Sequence, residues 1–212
     1  MAALSVGAAL KVGAIVLAAG RSTRLKDANK LLAAVGGQAL IARVVDAVLA
    51  SRVAGVHVVV AHESTRIVAA LAGRPITFVA APEGCGIGVS IAAGIRALAE
   101  TAADGALIVL GDMPFVESGH LDRLIAAFTT SGGSTLCVPT HAGRRGNPRL
   151  WPRGSFPQLM RLEGDVGGRD LLASGAFNVL EVAMDDDAVL RDIDTAADLA
   201  ALRRAPESDG RG

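Results

Sequence analysis

Short runs of Val, Ile and other apolar residues alternate along the sequence with longer stretches whose apolar residues recur at helical spacing. Four of these runs are predicted strands: 13–18, 56–61, 76–80 and 105–110. Three intervening stretches are predicted helices: 38–51, 64–72 and 88–100. The strands lack internal polar alternation, which is typical of a parallel sheet covered by helices on both faces. We therefore predict an α/β protein with a doubly wound, mostly parallel sheet.

The last third of the chain is less regular. It contains a predicted helix near 117–128, strand-like runs at 134–139 and 178–184, and a helix start near Gly168. Segment 190–204 is predicted to form a short strand and then a helix, with Thr195 and Asp198 in its first turn as a cap. No repeat or linker interrupts the pattern. The prediction is one domain over residues 1–204, with a disordered tail at 205–212.

The composition excludes several classes of protein. A chain of 212 residues with 51% apolar residues has enough material for a globular core. Twenty-one basic and 21 acidic residues give a net charge of zero, so no overall field favours nucleic acid or an anionic membrane. No apolar run reaches the roughly 18 residues of a membrane span. Cys85 and Cys137 show no metal-ligand spacing, which favours a reducing, cytoplasmic environment without structural zinc.

The first predicted strand leads into a loop of small residues followed by cations. Ligands of open parallel sheets gather outside the carboxyl ends of strands. Ala18, Ala19 and Gly20 leave the backbone N–H groups accessible to an anion, and Arg24 and Lys30 supply the charge that a triphosphate requires. The segment is not a P-loop, because no Gly-Lys-Ser/Thr closes it. The alternative interpretation is a solvated basic loop.

Carboxylates follow two later runs. Asp112 ends the apolar run at 105–110, where it could bind Mg²⁺ that faces phosphate oxygens; the alternative is an Asp that caps the next helix. Asp192 and Asp194 share one face by their spacing of two, and one of them could be a second metal ligand. Asp198, one helical turn further on, is interpreted as a helix-start charge.

The segment 81–98 is rich in glycine but does not fit G-x-G-x-x-G, because Val89 stands at the last glycine position. A hydride-transfer enzyme is therefore disfavoured. The bare backbone around Gly84 and Gly86, with Ser90 near a helix start, is suited to contacts with a base. The alternative is an ordinary strand-to-helix turn.

Taken together, these segments resemble the molybdenum cofactor nucleotidyltransferase family, and within it the cytidylyltransferase branch. The family's opening signature corresponds to Leu17-Ala18-Ala19-Gly20-Arg21-Ser22-Thr23-Arg24 and the later Lys30. Five more segments resemble family motifs in the same order: GCGIGVSIAAGI, GDMPFV, GRRGNPRLWP, LEGDVGGRDLL and DIDTAADL. The resemblance extends from residue 13 to residue 200. Leu25 and Lys26 depart from the family's Met and Gly, and Lys26 either adds a phosphate contact or shifts the loop.

The resemblance implies a Rossmann-like, nucleotide-diphospho-sugar transferase-like fold, and a role for each matching residue. Leu17, Ala18, Ala19, Gly20, Arg24 and Lys30 would hold the triphosphate, and Gly84, Gly86 and Ser90 the base and ribose. Asp112 and Asp194 would bind Mg²⁺, and Lys30, Arg24 and Asp112 would be catalytic. Asn147, Asp165 and Arg169 would contact the acceptor.

The implied reaction is transfer of CMP from CTP to the phosphate of molybdopterin, with release of pyrophosphate. The pair Ala18-Ala19 resembles the cytidine-using members of the family more than the guanine-using members, which implies cytidine as the base. A guanylyltransferase for the same cofactor and a cytidylyltransferase for a sugar or polyol phosphate remain alternatives. More distant ones are a nicotinamide-dependent oxidoreductase and a non-catalytic partner that inserts the cofactor. The resemblance also implies transient contact with a molybdenum hydroxylase.

Overall fold

The computed structural model of the chain describes residues 9–20, 29–61, 63–173 and 175–204, and at residues 169, 196, 203 and 204 it describes only the backbone. The strands are β1 (Val12–Ala18), β2 (Ala34–Val35), β3 (Gln38–Ala39), β4 (Gly55–Val60), β5 (Thr77–Ala80), β6 (Gly105–Leu110), β7 (Leu136–His141), β8 (Arg144–Arg145), β9 (Arg149–Pro152) and β10 (Val179–Ala183). The helices are α1 (Leu40–Leu49), α2 (Ser64–Ala70), α3 (Gly86–Ala99), α4 (Ser118–Thr130), α5 (Phe156–Leu159), α6 (Gly168–Ala173) and α7 (Ala196–Arg204).

The main sheet has the strand order β10-β7-β9-β6-β1-β4-β5, with β8 paired to β7. The pairs β1–β4, β1–β6, β4–β5 and β7–β10 are parallel. Strand β9 is antiparallel to both β6 and β7, between which it lies. The predicted α/β class with a mostly parallel sheet is confirmed. Strands β2 and β3 form a separate antiparallel hairpin.

Two apolar layers enclose the sheet, one on each face. Alternate residues of β1 belong to different layers: Val12, Ala14, Val16 and Ala18 to one, Ile15 and Leu17 to the other. The first layer includes residues of α1, α2, α4 and α7, and the second includes residues of α3 and α5. Helices therefore cover both faces. Burial of a large aliphatic side chain in such layers stabilises the fold by about 1.5–3 kcal/mol each.

Helix α3 packs against β1 and β4 through Gly94, where there is no room for a side chain. A Cβ atom at Gly94 would lie 2.6 Å from Cγ2 of Ile15 and 3.0 Å from Cγ2 of Val59. Neither neighbour is the end of a long, flexible side chain, so a larger residue would push the helix away from the strands. The position of α3 matters for function, since its first turn borders the cleft described below.

The short strand predicted at the start of segment 190–204 is wrong. Residues Ala188–Leu190 form one turn of 3-10 helix, and the chain up to Asp194 is not a strand. The N–H of Ile193 donates to the carbonyl of Asp112 (2.9 Å), and the carbonyl of Val189 accepts from the N–H of Asn147 (2.9 Å). Residues 189–193 are thus hydrogen-bonded to two separate loops, one at Asp112 and one at Asn147, and do not pair along a strand.

Strand β9 is absent from the sequence-based assignment. It has only four residues and ends in Pro152, so local propensity gives little sign of it. Its Trp151 is 1% exposed and belongs to the apolar layer on the α3 face of the sheet. None of the helices in the described ranges is long and apolar enough to cross a bilayer.

Candidate active site

The principal cleft lies where the strand order reverses. Strand β1 is flanked by β4 on one side and β6 on the other, so the carboxyl ends of β1 and β6 form a topological switch point. The cleft there has a volume of about 480 Å³. Its lining includes most of the predicted nucleotide-binding residues: Leu17, Ala19, Gly20, Lys30, Gly84, Gly86, Ser90 and Asp112.

Lys30 is held at the bottom of this cleft by a local cap. The carboxamide Oδ1 of the buried Asn29 accepts from the N–H of Leu31 (3.1 Å) and begins one turn of 3-10 helix at Lys30. The Nζ atom of Lys30 then donates to Oδ2 of Asp112 (2.7 Å) and to Oδ1 of Asp194 (3.1 Å). Partial burial lowers the pKa of Lys30, but its hydrogen bonds and charge interactions with both carboxylates outweigh burial and raise it overall. The Lys30 ammonium is therefore charged and fixed between two carboxylates, so the alternative of a solvated basic loop does not apply to this residue.

Asp112 follows directly on β6 through Gly111. A Cβ atom at Gly111 would lie 2.7 Å from the carbonyl oxygen of Leu17, so only glycine lets β6 end this close to β1. The alternative role of Asp112 as a helix cap is wrong, because Glu117 and His120 form the capping box of α4. The Oδ1 atom of Asp112 is buried and has no hydrogen-bond partner among the described residues.

Three carboxylates meet beside Lys30. Asp112, Asp192 and Asp194 each offer an oxygen, and these oxygens lie within 4.8 Å of one another. Desolvation and the neighbouring charges of Asp194 and Asp112 raise the pKa of Asp192. The carboxylate of Asp198 accepts from the N–H groups of Asp194 (3.2 Å) and Thr195 (2.7 Å), so it caps α7 as predicted and orients the turn that presents Asp194.

The carboxylate cluster fits a divalent cation. Oxygen ligands of this kind suit Mg²⁺ and Mn²⁺, which bind through one or two carboxylates together with phosphate oxygens and water. The Oδ1 atom of Asp112, which is buried and has no hydrogen-bond partner among the residues that the structure describes, is available as a ligand atom. Both predicted ligands, Asp112 and Asp194, belong to the cluster, and Asp192 is a third member.

The glycine-rich loop before α3 forms another wall of the cleft, and its glycines serve close packing. Gly86 has φ 87°, and a Cβ atom there would lie 2.2 Å from the backbone of Gly164. The N–H of Gly88 donates to the carbonyl of Gly164 (2.9 Å). Ser90 is buried within α3, and its Oγ donates to the carbonyl of Gly86 (3.4 Å). The loop is thus joined to segment 163–166.

A second cleft of about 370 Å³ adjoins the first. Leu17, Ile87, Leu110 and Asp165 line both clefts. The second is also lined by the predicted acceptor-binding residue Asn147, and by Arg149 and Trp151 of the same segment, GNPRLW, which the resemblance turns toward the acceptor. Arg149 directly follows Asn147-Pro148 in this segment. Its position there is the sequence signal by which it could have been identified as a residue of the cleft.

Some predicted site residues cannot be compared with the structure. Arg24, together with Arg21 and the unusual Lys26, lies outside the described residues. Arg169 is the second residue of α6, and its side chain is not described. Their predicted contacts with phosphate and acceptor stay predictions.

At the switch point of this mostly parallel sheet lie a small-residue loop, a lysine and carboxylates, and together with the following family match they make the protein a nucleotidyltransferase. The model of the MobA-like NTP transferase domain matches residues 14–180. The chain belongs to this family.

Curated relatives support this assignment to different extents. The purine catabolism protein PucB of Bacillus subtilis is 32% identical over 204 residues, which cover 90% of this chain and 95% of PucB. The bifunctional protein GlmU of Azotobacter vinelandii is 35% identical over 113 residues, which cover 53% of this chain. The chain spans about a quarter of the length of GlmU, since the match covers 24% of that protein.

Among solved structures, Rv0371c from Mycobacterium tuberculosis H37Rv has a TM-score of 0.80 at 29% identity, covering 93% of this chain and 99% of that one. A structure of Rv0371c in complex with manganese has a TM-score of 0.77 at 28% identity, with 93% and 100% coverage. This chain therefore shares the fold of Rv0371c over nearly its whole length.

Proposed function

We propose that the protein transfers CMP from CTP to the phosphate of molybdopterin and releases pyrophosphate. The observation that carries the proposal is the position of Lys30, between Asp112 and Asp194 in the first cleft, with a second cleft directly beside it. A donor and an acceptor can then meet where the two clefts share residues. The motif resemblance over residues 13–200 supplies the particular donor and acceptor.

In this proposal the chain acts mainly by position and charge. The backbone at Ala19 and Gly20 faces the triphosphate, and the Lys30 ammonium donates to phosphate oxygens whose negative charge grows in the transition state. The loop at 84–90 contacts the base and ribose. The acceptor's phosphate oxygen is already an anionic nucleophile at neutral pH, so the chain need not supply a general base.

A divalent cation at the Asp112 and Asp194 carboxylates would neutralise charge on the triphosphate and on the departing pyrophosphate. The manganese complex of Rv0371c supports a divalent ion in this type of protein. We propose Mg²⁺ as the physiological ion. Replacement of Asp112 by Asn is expected to lower activity strongly, because Asn keeps the shape but loses the charge of the ligand.

The choice of base is tested by thermal unfolding in the four NTPs, each with Mg²⁺. A ligand that binds only the folded state stabilises it by about 2.7 kcal/mol at one hundred times its dissociation constant. CTP is expected to give the largest increase in Tm. A larger increase with GTP would favour the guanylyltransferase alternative, and a response to NAD alone would favour the oxidoreductase alternative.

The transfer itself is tested by pyrophosphate release from CTP with molybdopterin as acceptor. Release that depends on both substrates is the expected result. Release with sugar or polyol phosphates but not with molybdopterin would replace the proposed acceptor. No release with any of these acceptors would contradict the proposed reaction and favour a non-catalytic role.

A further inference from the structure

We propose that Arg191 and Phe115 form a positioning pair that keeps the two halves of the carboxylate cluster together, an inference that rests on the divalent-cation site of the proposed function. Neither residue is among those that line the two clefts or form the cluster itself. The reaction proposed above gives neither of them a role. Their contact with each other, and their places in the sequence, carry the inference.

The carboxylate cluster is divided between two segments that are far apart in the sequence. Asp112 lies in the loop after β6, whereas Asp192 and Asp194 lie in the segment before α7. A backbone hydrogen bond joins the two segments, from the N–H of Ile193 to the carbonyl of Asp112 (2.9 Å). Carboxylates within 4.8 Å of one another repel, and Lys30 is expected to turn toward phosphate in the complex. Further contacts between the segments therefore help to hold the cluster together.

The Arg191–Phe115 pair is such a contact. Phe115 follows Asp112 by three residues, and Arg191 directly precedes Asp192. The guanidinium carbon of Arg191 lies over the Phe115 ring, 3.7 Å from its centroid. At this distance the planar cation stacks on the ring and is attracted by the negative face of its π-system. The pair therefore links the two segments next to the cluster.

Alternation along the chain explains how Arg191 holds its segment from outside the cluster. Arg191 has φ −111° and ψ 110°, an extended conformation in which successive side chains point to opposite sides. Ile193, two residues further on, is 1% exposed and belongs to the apolar layer against which Phe115 packs. Asp192 and Asp194 lie on the other side, in the cluster. The contact thus fixes the side of the segment that faces away from the carboxylates.

A second contact of Arg191 is weaker. Its Nη1 atom lies 3.6 Å from Oδ1 of Asp187, and the two side chains are 47% and 58% exposed. Exposed ion pairs contribute little, because solvent screens them and two long side chains must be ordered. We therefore attribute the position of the guanidinium to the ring of Phe115.

The first test measures Mn²⁺ binding to the protein without nucleotide, by calorimetry. Arg191→Gln and Phe115→Leu should each raise the Kd by about 3- to 10-fold, because the apparent affinity falls with the fraction of protein whose carboxylates are in place. The sign is decisive for Arg191→Gln. Removal of a cation near a divalent ion would tighten binding if charge alone acted. Unchanged or tighter binding in this variant would overturn the inference.

The matched control for charge is Arg123→Gln. Arg123 lies on α4, its side chain is 46% exposed, and its Nη1 donates to Oδ2 of Asp185 (2.8 Å). The substitution therefore removes the same charge, and an ion pair to the same acidic turn, as Arg191→Gln does. Its Kd for Mn²⁺ should stay within twofold of the wild type. An equal loss of affinity in Arg123→Gln and Arg191→Gln would contradict a specific role of the pair.

The matched control for the ring is Phe115→Tyr, which keeps the aromatic face and should bind Mn²⁺ as the wild type does. The double variant Arg191→Gln/Phe115→Leu should lose no more affinity than either single variant, because each substitution breaks the same contact. Additive losses would show that the two residues act independently. If Phe115→Leu does not unfold cooperatively, Arg191→Lys replaces it, with an intermediate Kd expected because lysine keeps the charge but not the planar stack.

The second test needs no metal ion. Hydrogen exchange of the Ile193 amide reports on its bond to the Asp112 carbonyl, which joins the same two segments. Exchange in the metal-free protein should be faster in Arg191→Gln and in Phe115→Leu than in the wild type, whereas amides in the middle of β1 should exchange as before. Exchange of the Ile193 amide at the wild-type rate in Arg191→Gln would contradict the link between the segments.

The third test separates positioning from catalysis by pyrophosphate release at increasing Mg²⁺. Arg191→Gln should raise the Mg²⁺ concentration for half-maximal rate and leave kcat at saturating Mg²⁺ within twofold. A lower kcat with an unchanged Mg²⁺ requirement would overturn the positioning role. If the wild type binds no Mn²⁺, with or without CTP, the metal site and the inference both fail. If Mn²⁺ binding depends on the pair but molybdopterin supports no transfer, the proposed acceptor fails and the inference stands.

Discussion

Lys30 contacts the same carboxylates that are expected to bind the metal ion. Its Nζ lies 2.7 Å from Oδ2 of Asp112 and 3.1 Å from Oδ1 of Asp194. An ammonium and a divalent cation that share carboxylate oxygens repel each other and compete for the same lone pairs. In the proposed mechanism Lys30 would thus have opposite effects on metal and on phosphate, because it would oppose the cation in the free protein and stabilise the triphosphate in the complex.

Lys30→Met is expected to have two separable consequences. Turnover should fall by about 10²- to 10³-fold, as for loss of one preorganised donor. Binding of Mn²⁺ to the protein without nucleotide, measured by calorimetry, should become tighter because a competing cation is removed. The control is Lys11→Met, since Lys11 precedes β1 and its N–H is bonded to Asp104 at the opposite end of that strand. Unchanged or weaker Mn²⁺ binding in Lys30→Met would contradict the competition.

The two cysteines should differ in reactivity. Cys85 is exposed and lines the nucleotide cleft, whereas Cys137 is buried in β7 and burial raises the pKa of its thiol to about 11. Because the thiolate is the reactive form, a thiol reagent should modify Cys85 alone in the native protein. CTP with Mg²⁺ should slow this modification, as followed by mass spectrometry of the labelled peptide. Labelling that is equally fast with and without nucleotide would contradict the position of the nucleotide.

At the scale of elements, the first turn of α3 and the segment 163–166 form one unit that borders both clefts. The N–H of Gly88 is bonded to the carbonyl of Gly164, and a Cβ atom at Gly88 would lie 2.5 Å from the carbonyl oxygen of Val166. Asp165, within the same segment, lines both clefts. A change in the first turn of α3 would therefore also displace segment 163–166, which borders the second cleft.

Gly86→Ala is expected to weaken binding of both substrates. The new Cβ atom would meet the Gly164 backbone at 2.2 Å, and the φ of 87° strains any other residue, so unfolding should become easier by about 1–3 kcal/mol. Gly84→Ala is the matched control: its φ of 70° gives comparable backbone strain, but no atom lies within 4 Å of the added Cβ. Denaturant unfolding and substrate titrations would compare the variants. Equal losses of stability and of substrate binding in the two variants would show that backbone strain is responsible and that the contact with Gly164 is not.

For the molecule as a whole, a partly buried histidine couples stability to pH. His57 lies in β4, its Nδ1 is buried without a hydrogen-bond partner among the described residues, and burial lowers its pKa below the ordinary value of 6.5. The unfolded chain therefore binds a proton at a higher pH than the folded protein does. The neutral ring contributes its stability above pH 6.5, and that contribution is lost as the pH falls below this value.

His57→Gln should remove this contribution to the pH dependence. Urea unfolding between pH 8 and pH 5 is expected to show the free energy of unfolding of the wild type falling more steeply than that of the variant. The comparison of slopes cancels any constant effect of the substitution on packing. Parallel profiles would contradict a lowered pKa of His57 in the folded protein.

The sequence by itself determined the α/β class and the order of most elements. Side chains repeat every two residues in strands and every 3.6 in helices, so runs that are apolar on both faces could be recognised without tertiary contacts. The same logic brought attention to Lys30 and Asp112, because each follows an apolar strand whose carboxyl end faces the ligand side of such a sheet. Their roles in catalysis stay predictions that the experiments above test.

Only the tertiary structure decided which of these residues meet. Lys30 is 82 residues from Asp112 and 164 from Asp194, and no local pattern encodes contacts over such separations. The insertion of β9, which brings Arg149 into the second cleft, depends on pairing with β6 and β7 and not on the propensity of four residues. The glycine loop suggested flexible contacts with a base, yet Gly86 and Gly88 are required by the approach of Gly164 and Val166. Close packing between distant segments set these features, because steric exclusion acts through space and leaves no period in the chain.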